Sequence, residues 1–271
     1  MNGWIYFHDL DPILFHLGFL RVGWYGLMYA ISFLIGYWML LRTSRREGAL
    51  ISPEQASSLL TYLILGVVLG GRLGWVIFYG GMPYLLEPWR IMETWKGGMS
   101  FHGGLLGVVL AFWLFARRHG LPVVALADFC TTWVPIGLFF GRIGNFINGE
   151  LYGRPTDGTW GVVFPTDPAG LPRHPSQLYE AFGEGVVVFL VLLLLRGRVR
   201  REGVQSAAFL LLYGLARTAA EFVRLPDRDI GYLWRFVTMG QLLSVPMALA
   251  GLVWLVVIFA RPAPSAPGRA G

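Results

Sequence analysis

Five short stretches of this sequence place ionisable or amide side chains inside apolar surroundings. Arg72 stands in GGRLGWVIFYG, His102 in GGMSFHGGLLG, and Arg142, Asn145, Asn148 and Glu150 in GRIGNFINGELYG. Arg173, His174, Gln177, Tyr179 and Glu180 fall in RHPSQLYE, while Arg217, Glu221 and Arg224 recur at i, i+4 and i+7, the spacing of one helical face. Several arginines around one site ask for an anion, and the planar guanidinium fits a phosphate. An imidazole suits proton transfer near neutral pH. The histidines and acids lack metal-ligand spacing and no GxSxG elbow is present. The pattern therefore predicts neither a metal nor a cofactor.

The elements that must carry these residues are membrane helices. Of 271 residues, 55% are apolar and only 14% charged, with a mean hydropathy of +0.56; an average soluble domain has roughly 25% charged residues. Apolar runs near 22–41, 58–80, 99–116, 122–141, 178–195, 205–224 and 237–260 each approach the roughly 20 residues that cross a hydrocarbon core. The third and fifth are short and the fourth holds Pro135, which predicts kinks or tilts there. The sequence thus predicts an all-α, polytopic integral membrane protein with seven transmembrane helices in a single domain over 1–260. Residues 1–18 are an expected arm at the outer interface, 142–177 an outer loop region, and 261–271 a flexible tail. The acidic start, with Asp9 and Asp11 and no basic segment, does not read as a cleavable signal.

Orientation follows from cations next to the span ends. Arg42, Arg45, Arg46, Arg117, Arg118, Arg196, Arg198, Arg200, Arg201, Arg261 and Arg269 fall on one side in dense groups. On the other side Arg21, Arg90, Lys96, Arg142, Arg154, Arg173, Arg224, Arg228 and Arg235 mix with acids. The N-terminus is expected outside and the C-terminus in the cytoplasm. A net charge of +6 carried in such clusters does not point to nucleic acid. Cys130, the single cysteine, excludes an intramolecular disulfide.

Alternating spans bring His102, Arg142, Glu180 and Arg224 to the outer end, with Arg217 about 10 Å deeper by helical rise. An anionic lipid headgroup is the natural anion at that depth. Plainer roles remain open: Arg72 pairing with a buried acid, Arg217, Glu221 and Arg224 forming a structural ion pair, His102 being hydrogen-bonded at a span end. Asp128 reads as a helix cap and Cys130 as inert packing. A lipid transporter or a noncatalytic lipid-binding scaffold would also use such a cavity, although the charges gather at one end and no second half repeats the first.

The stretch GRIGNFINGELYG, residues 141–153, closely resembles the signature of the prolipoprotein diacylglyceryl transferases. The likeness continues through VGWYGLMY (22–29), GGRLGWVIFY (70–79), GGMSFHGGL (97–105), RHPSQLYE (173–180), ARTAAEFVRLPD (216–227) and MGQLLSVPM (239–247). It implies a seven-span enzyme of the bacterial inner membrane that moves the sn-1,2-diacylglyceryl group of phosphatidylglycerol to the lipobox cysteine of a prolipoprotein, leaving a thioether and glycerol 1-phosphate. The family's residues carry over as Tyr25, His102, Arg142, Asn145, Asn148, Glu150, Arg217, Glu221 and Arg224. On this reading His102 is the candidate thiol base, although Glu150 or the leaving group could share the proton. Arg142 and Arg217 take the phosphate, and Asn145 and Asn148 orient the headgroup. Glu150 positions an arginine or a glycerol hydroxyl, and Tyr25 bonds near the thiol or headgroup. Glu221 orients Arg217, and Arg224 supports the site or stands at its entry. Phosphatidylglycerol, a prolipoprotein lipobox peptide and membrane lipids are the expected partners.

Overall fold

Polar caps and arginines bound the apolar runs and set where each helix starts and stops. In the computed structural model α1 is Trp24–Ser44, α2 Pro53–Trp75, α3 Phe101–Arg118, α4 Val123–Thr131, α5 Val134–Ile147, α6 Ser176–Arg198, α7 Val204–Ala220 and α8 Met239–Ala260. The structure describes residues 3–18, 20–81, 84, 86–93, 97–199, 201–226, 232, 233 and 237–262. Lys96, Arg200, Asp227, Arg228, Arg235, Arg269 and the expected tail beyond 262 lie outside the described residues. Ser52 with Gln55 and Thr238 with Gln241 close capping boxes at the starts of α2 and α8. Arg201 donates to the carbonyls of Ile258 and Arg261 at 2.8 and 3.1 Å, satisfying the end of α8.

Helices α1, α2, α6 and α8 are long and apolar enough to cross a membrane, and α4 with α5 forms a fifth if that bent pair is one span. The pair bends by 47° just before Pro135, which sits in the first turn of α5 where its missing N–H costs nothing. Helices α3 and α7 occupy the third and sixth expected spans. His102 and the Arg117–Arg118 pair dilute the first, and the second has only 17 residues. The fifth expected span is longer than its apolar run, because Ser176, Gln177 and Glu180 fold into the same helix.

The fold is mostly helical rather than wholly so. Among the described residues there are three two-stranded sheets: β1 (Trp4–Phe7) beside β4 (Trp160–Val163), parallel; β2 (Ile13–Leu17) with β3 (Leu20–Gly23), antiparallel; and β5 (Tyr232–Leu233) with β6 (Val237–Thr238). Within the expected arm, the described residues 3–18 are therefore largely extended backbone. The expected outer loop begins later than residue 142, because α5 runs on to Ile147.

Two compact units result, one made of residues up to Gly36 together with those from Ala127 onward, the other Tyr37–Leu126. In the second unit α2 and α3 meet along glycines. A Cβ at Gly74 would come within 2.6 Å of the Gly103 Cα, and one at Gly107 would overlap the Gly66 carbonyl. Only hydrogen at these positions allows such an approach, the usual device where lipid gives no hydrophobic drive. In the first unit Tyr152, Val162 and Phe164 form a core with Phe146 and Leu225 packed around it. His8 joins it, its Nε2 2.8 Å from the Phe146 carbonyl. That core fastens the 148–175 segment to the end of α5.

Candidate functional site

The site grows from the end of α5. Asn145 is buried one turn before the helix closes, and Asn148 caps it. Gly149 then turns the chain with φ of +65°, so that the Glu150 carboxylate folds back onto both amides. Asn145 donates to Glu150 Oε1 at 2.9 Å and Asn148 at 3.2 Å. Leu151 follows with φ of +59°, a left-handed conformation that a branched side chain resists. It is held there by α6: Gln177 donates to the Glu150 carbonyl at 2.7 Å and Ser176 to the Leu151 carbonyl at 3.1 Å. Tyr25 packs beside this turn, against Gly144, and bonds to Tyr29 at 3.2 Å.

Three arginines converge next to it. Arg142 of α5, Arg217 of α7 and Arg224 just beyond α7 reach the same oxygen, Glu180 Oε2, at 2.8, 2.5 and 3.3 Å. Glu184, one turn further along α6, lies 3.4 Å from Arg142 and 3.6 Å from Arg217. Glu221 takes the other edge of Arg217 at 2.6 Å and stands 3.8 Å from Arg224. The side chains of Glu180 and Glu184 are fully buried. A π-helical segment, Ala181–Val187, begins right after Glu180 and contains Glu184, the kind of irregularity that re-aims side chains at functional sites.

Neighbouring backbone pins the cluster. Gly240 at the head of α8 lies so close to Glu221 that a Cβ there would overlap the carboxylate. Arg154 donates to the carbonyls of Arg224 and Glu221 at 3.0 and 3.2 Å and closes the end of α7. A cleft of about 260 Å³ opens alongside, lined by Glu150, Leu151, Tyr152, Thr166, Arg224, Leu225 and Pro226. It has one carboxylate, one guanidinium and an apolar wall, a combination that suits a polar head on an apolar body.

Arg142, Asn145, Asn148, Glu150, Arg217, Glu221, Arg224 and Tyr25 all belong to the first unit; Glu221 touches Arg217 and Arg224, Glu150 touches the two asparagines, and Arg142 joins the other arginines through Glu180. His102 is the second residue of α3 in the other unit, with an exposed side chain. Arg173 leaves the group: it makes two parallel bonds to Asp167, at 2.7 and 2.9 Å. That guanidinium holds the Asp167 carboxyl below the usual aspartate range. Arg72 pairs with no acid among the described residues. It is buried and donates to the carbonyls of Arg90, Ile91, Glu93, Gly97 and Gly98 at 2.6–3.3 Å. Asp128 caps a helix, but not its own: it accepts from Gly203 N, Ser206 N and Ser206 Oγ at the start of α7, at 2.6–2.9 Å. Glu184 was absent from the sequence-derived candidates. The signal was available, since it is a lone acid in the apolar run AFGEGVVVFLV. Among the described residues no group of three histidines, cysteines or acids could hold a metal.

Comparison with known proteins gives one answer. Residues 12–257 match the family described as prolipoprotein diacylglyceryl transferase. A phosphatidylglycerol–prolipoprotein diacylglyceryl transferase of Nitratidesulfovibrio vulgaris (strain DP4) is 51% identical over 251 residues, 92% of this chain and 95% of that one. Proteins of the same name from Geobacter sulfurreducens and Pseudomonas fluorescens Pf-5 are 48% and 50% identical, covering 94% and 91% of this chain and 98% and 94% of theirs.

Proposed function

The chain belongs to the prolipoprotein diacylglyceryl transferase family and transfers a diacylglyceryl group from phosphatidylglycerol to a prolipoprotein, and we propose that the arginine cluster beside Glu150 is where it does so. The observation that carries this placement is the convergence of Arg142, Arg217 and Arg224 on one buried oxygen beside a half-apolar cleft. In the reaction the lipobox sulfur attacks the glycerol carbon bonded to the phosphate oxygen. A C–S bond forms, the C–O bond breaks, and glycerol 1-phosphate leaves with the electron pair. Charge grows on the departing phosphate, so fixed guanidinium donors bind the transition state more strongly than the ground state.

Arg142 and Arg217 are assigned to that phosphate; Glu221 orients Arg217, and Arg224 supports the site through Glu180 and Glu221. Asn145 and Asn148 fix the Glu150 carboxylate, which takes a headgroup hydroxyl, and Tyr25 supports the same turn. A free thiol has a pKa near 8.5 and attacks as thiolate. The imidazole of His102 is the proposed base. All seven expected spans are proposed to cross a bacterial inner membrane, with the N-terminus outside, the C-terminus in the cytoplasm and the cluster towards the outer leaflet.

The test uses purified protein, phosphatidylglycerol and a lipobox peptide, reading thioether formation by mass and glycerol phosphate release. Losing one such donor costs about 10²–10³ in kcat, so Arg142→Ala and Arg217→Ala are expected to fall by that much. His102→Ala is expected to lose activity most at low pH, where little thiolate forms unaided. Full activity in Arg142→Ala overturns the phosphate assignment.

A further inference from the structure

We propose that Glu180 is a positioning residue that sets how tightly the arginine cluster holds phosphate, weakening the departing monoester more than the incoming diester. This rests on the phosphate assignment above. Glu180 Oε2 accepts from Arg217 Nη1 and Arg224 Nη1 and lies 2.8 Å from Arg142 Nη2, so guanidinium groups from α5 and from the end of α7 meet on one oxygen, and the side chain is fully buried. These are the donors that a phosphate oxygen would use. With Glu184 and Glu221 the cluster contains three arginines and three glutamates, so its formal charges cancel.

That balance has a kinetic meaning. A phosphodiester lipid carries one negative charge, whereas the monoester product approaches two near neutral pH. An uncompensated guanidinium attracts the product twice as strongly as the substrate, because Coulomb energy scales with ligand charge. A cluster of bare arginines would therefore hold its product. Glu180 competes for the same N–H groups and cancels the excess, so the arginines remain able to follow charge as it develops without trapping glycerol phosphate afterwards.

The experiment compares full-length protein with Glu180→Gln and Glu180→Asp in vesicles of a non-substrate lipid containing graded phosphatidylglycerol, adding sn-glycerol 1-phosphate as inhibitor. Removing one negative charge is expected to lower KM by about threefold and the product Ki by about tenfold, the second factor being near the square of the first. Glu180→Asp, which keeps the charge, should retain the parental ratio of Ki to KM. A purely architectural role predicts instead that both constants rise in Glu180→Gln as the arginines scatter, and that result overturns the proposal, as does an unchanged ratio. Should Glu180→Gln not fold, Glu184→Gln removes one charge while leaving the shared acceptor in place, and Ki must again fall further than KM. An unaltered chain that makes no thioether overturns the catalytic reading and this inference together. Normal product with an unshifted ratio in the variants overturns this inference alone.

Discussion

Asp167 and Arg173 bind each other through two parallel bonds, buried beneath the ring of Tyr152. Folding lowers the Asp167 pKa, so across that interval the native state binds fewer protons than the unfolded chain and stability rises with pH. The contribution is complete above the ordinary aspartate value of about 3.9 and is lost as pH falls through the lower folded-state value. Asp167→Asn should therefore lower the unfolding midpoint near neutral pH by about 5 °C and show a shallower loss on acidification. An unchanged acid profile would refute this. Sequence reasoning noted Arg173 among the polar residues leading into the fifth span and named no partner for it, because Asp167 lies in an irregular segment where no periodicity predicts pairing. Arg142, Arg217 and Glu221 were legible for the opposite reason: charges in apolar helices stand out, and i, i+4 spacing fixes who meets whom.

At the scale of elements, Gly240 shows why a helix start belongs to the site. The Thr238–Gln241 capping box sets where α8 begins, and this places a residue without a Cβ against the Glu221 carboxylate. Gly240→Ala should push Glu221 off Arg217 and lower kcat/KM by about tenfold, with thermal stability reduced by about 1–3 kcal/mol. Activity retained in that variant would show that Glu221 can move freely. The bend before Pro135 could be read from the sequence, since proline marks a helix start or a kink. The π-helical segment of α6 could not, because Gly183 and Gly185 weaken a helix without specifying its register, which is tied to what Glu180 and Glu184 reach. The same holds for Asp128, whose partner helix begins 76 residues later at Val204.

For the whole molecule, the single cysteine makes topology directly measurable. With Cys130→Ser as background, cysteines placed at Gly18, Gly158 and Gly170 should react with an impermeant maleimide added to intact cells. Cysteines at Gly48, Gly120 and Gly203 should react only after the membrane is opened. Reversal of these two sets would overturn the proposed orientation, and a mixed pattern would overturn the seven-span count. Apolar length made the mostly helical architecture legible. The small sheets were not, because β1 pairs with β4 across more than 150 residues and strands of four residues leave little periodic trace. Arg72 adds a consequence of another kind. It donates to the main-chain carbonyls of Arg90, Ile91, Glu93, Gly97 and Gly98, and its stacking partners are the rings of Trp75 and Tyr84. The grip itself calls on no side chain of residues 90, 91 or 93, so a substitution there leaves the carbonyl acceptors of Arg72 in place, and the same main-chain anchor can serve beneath a different surface.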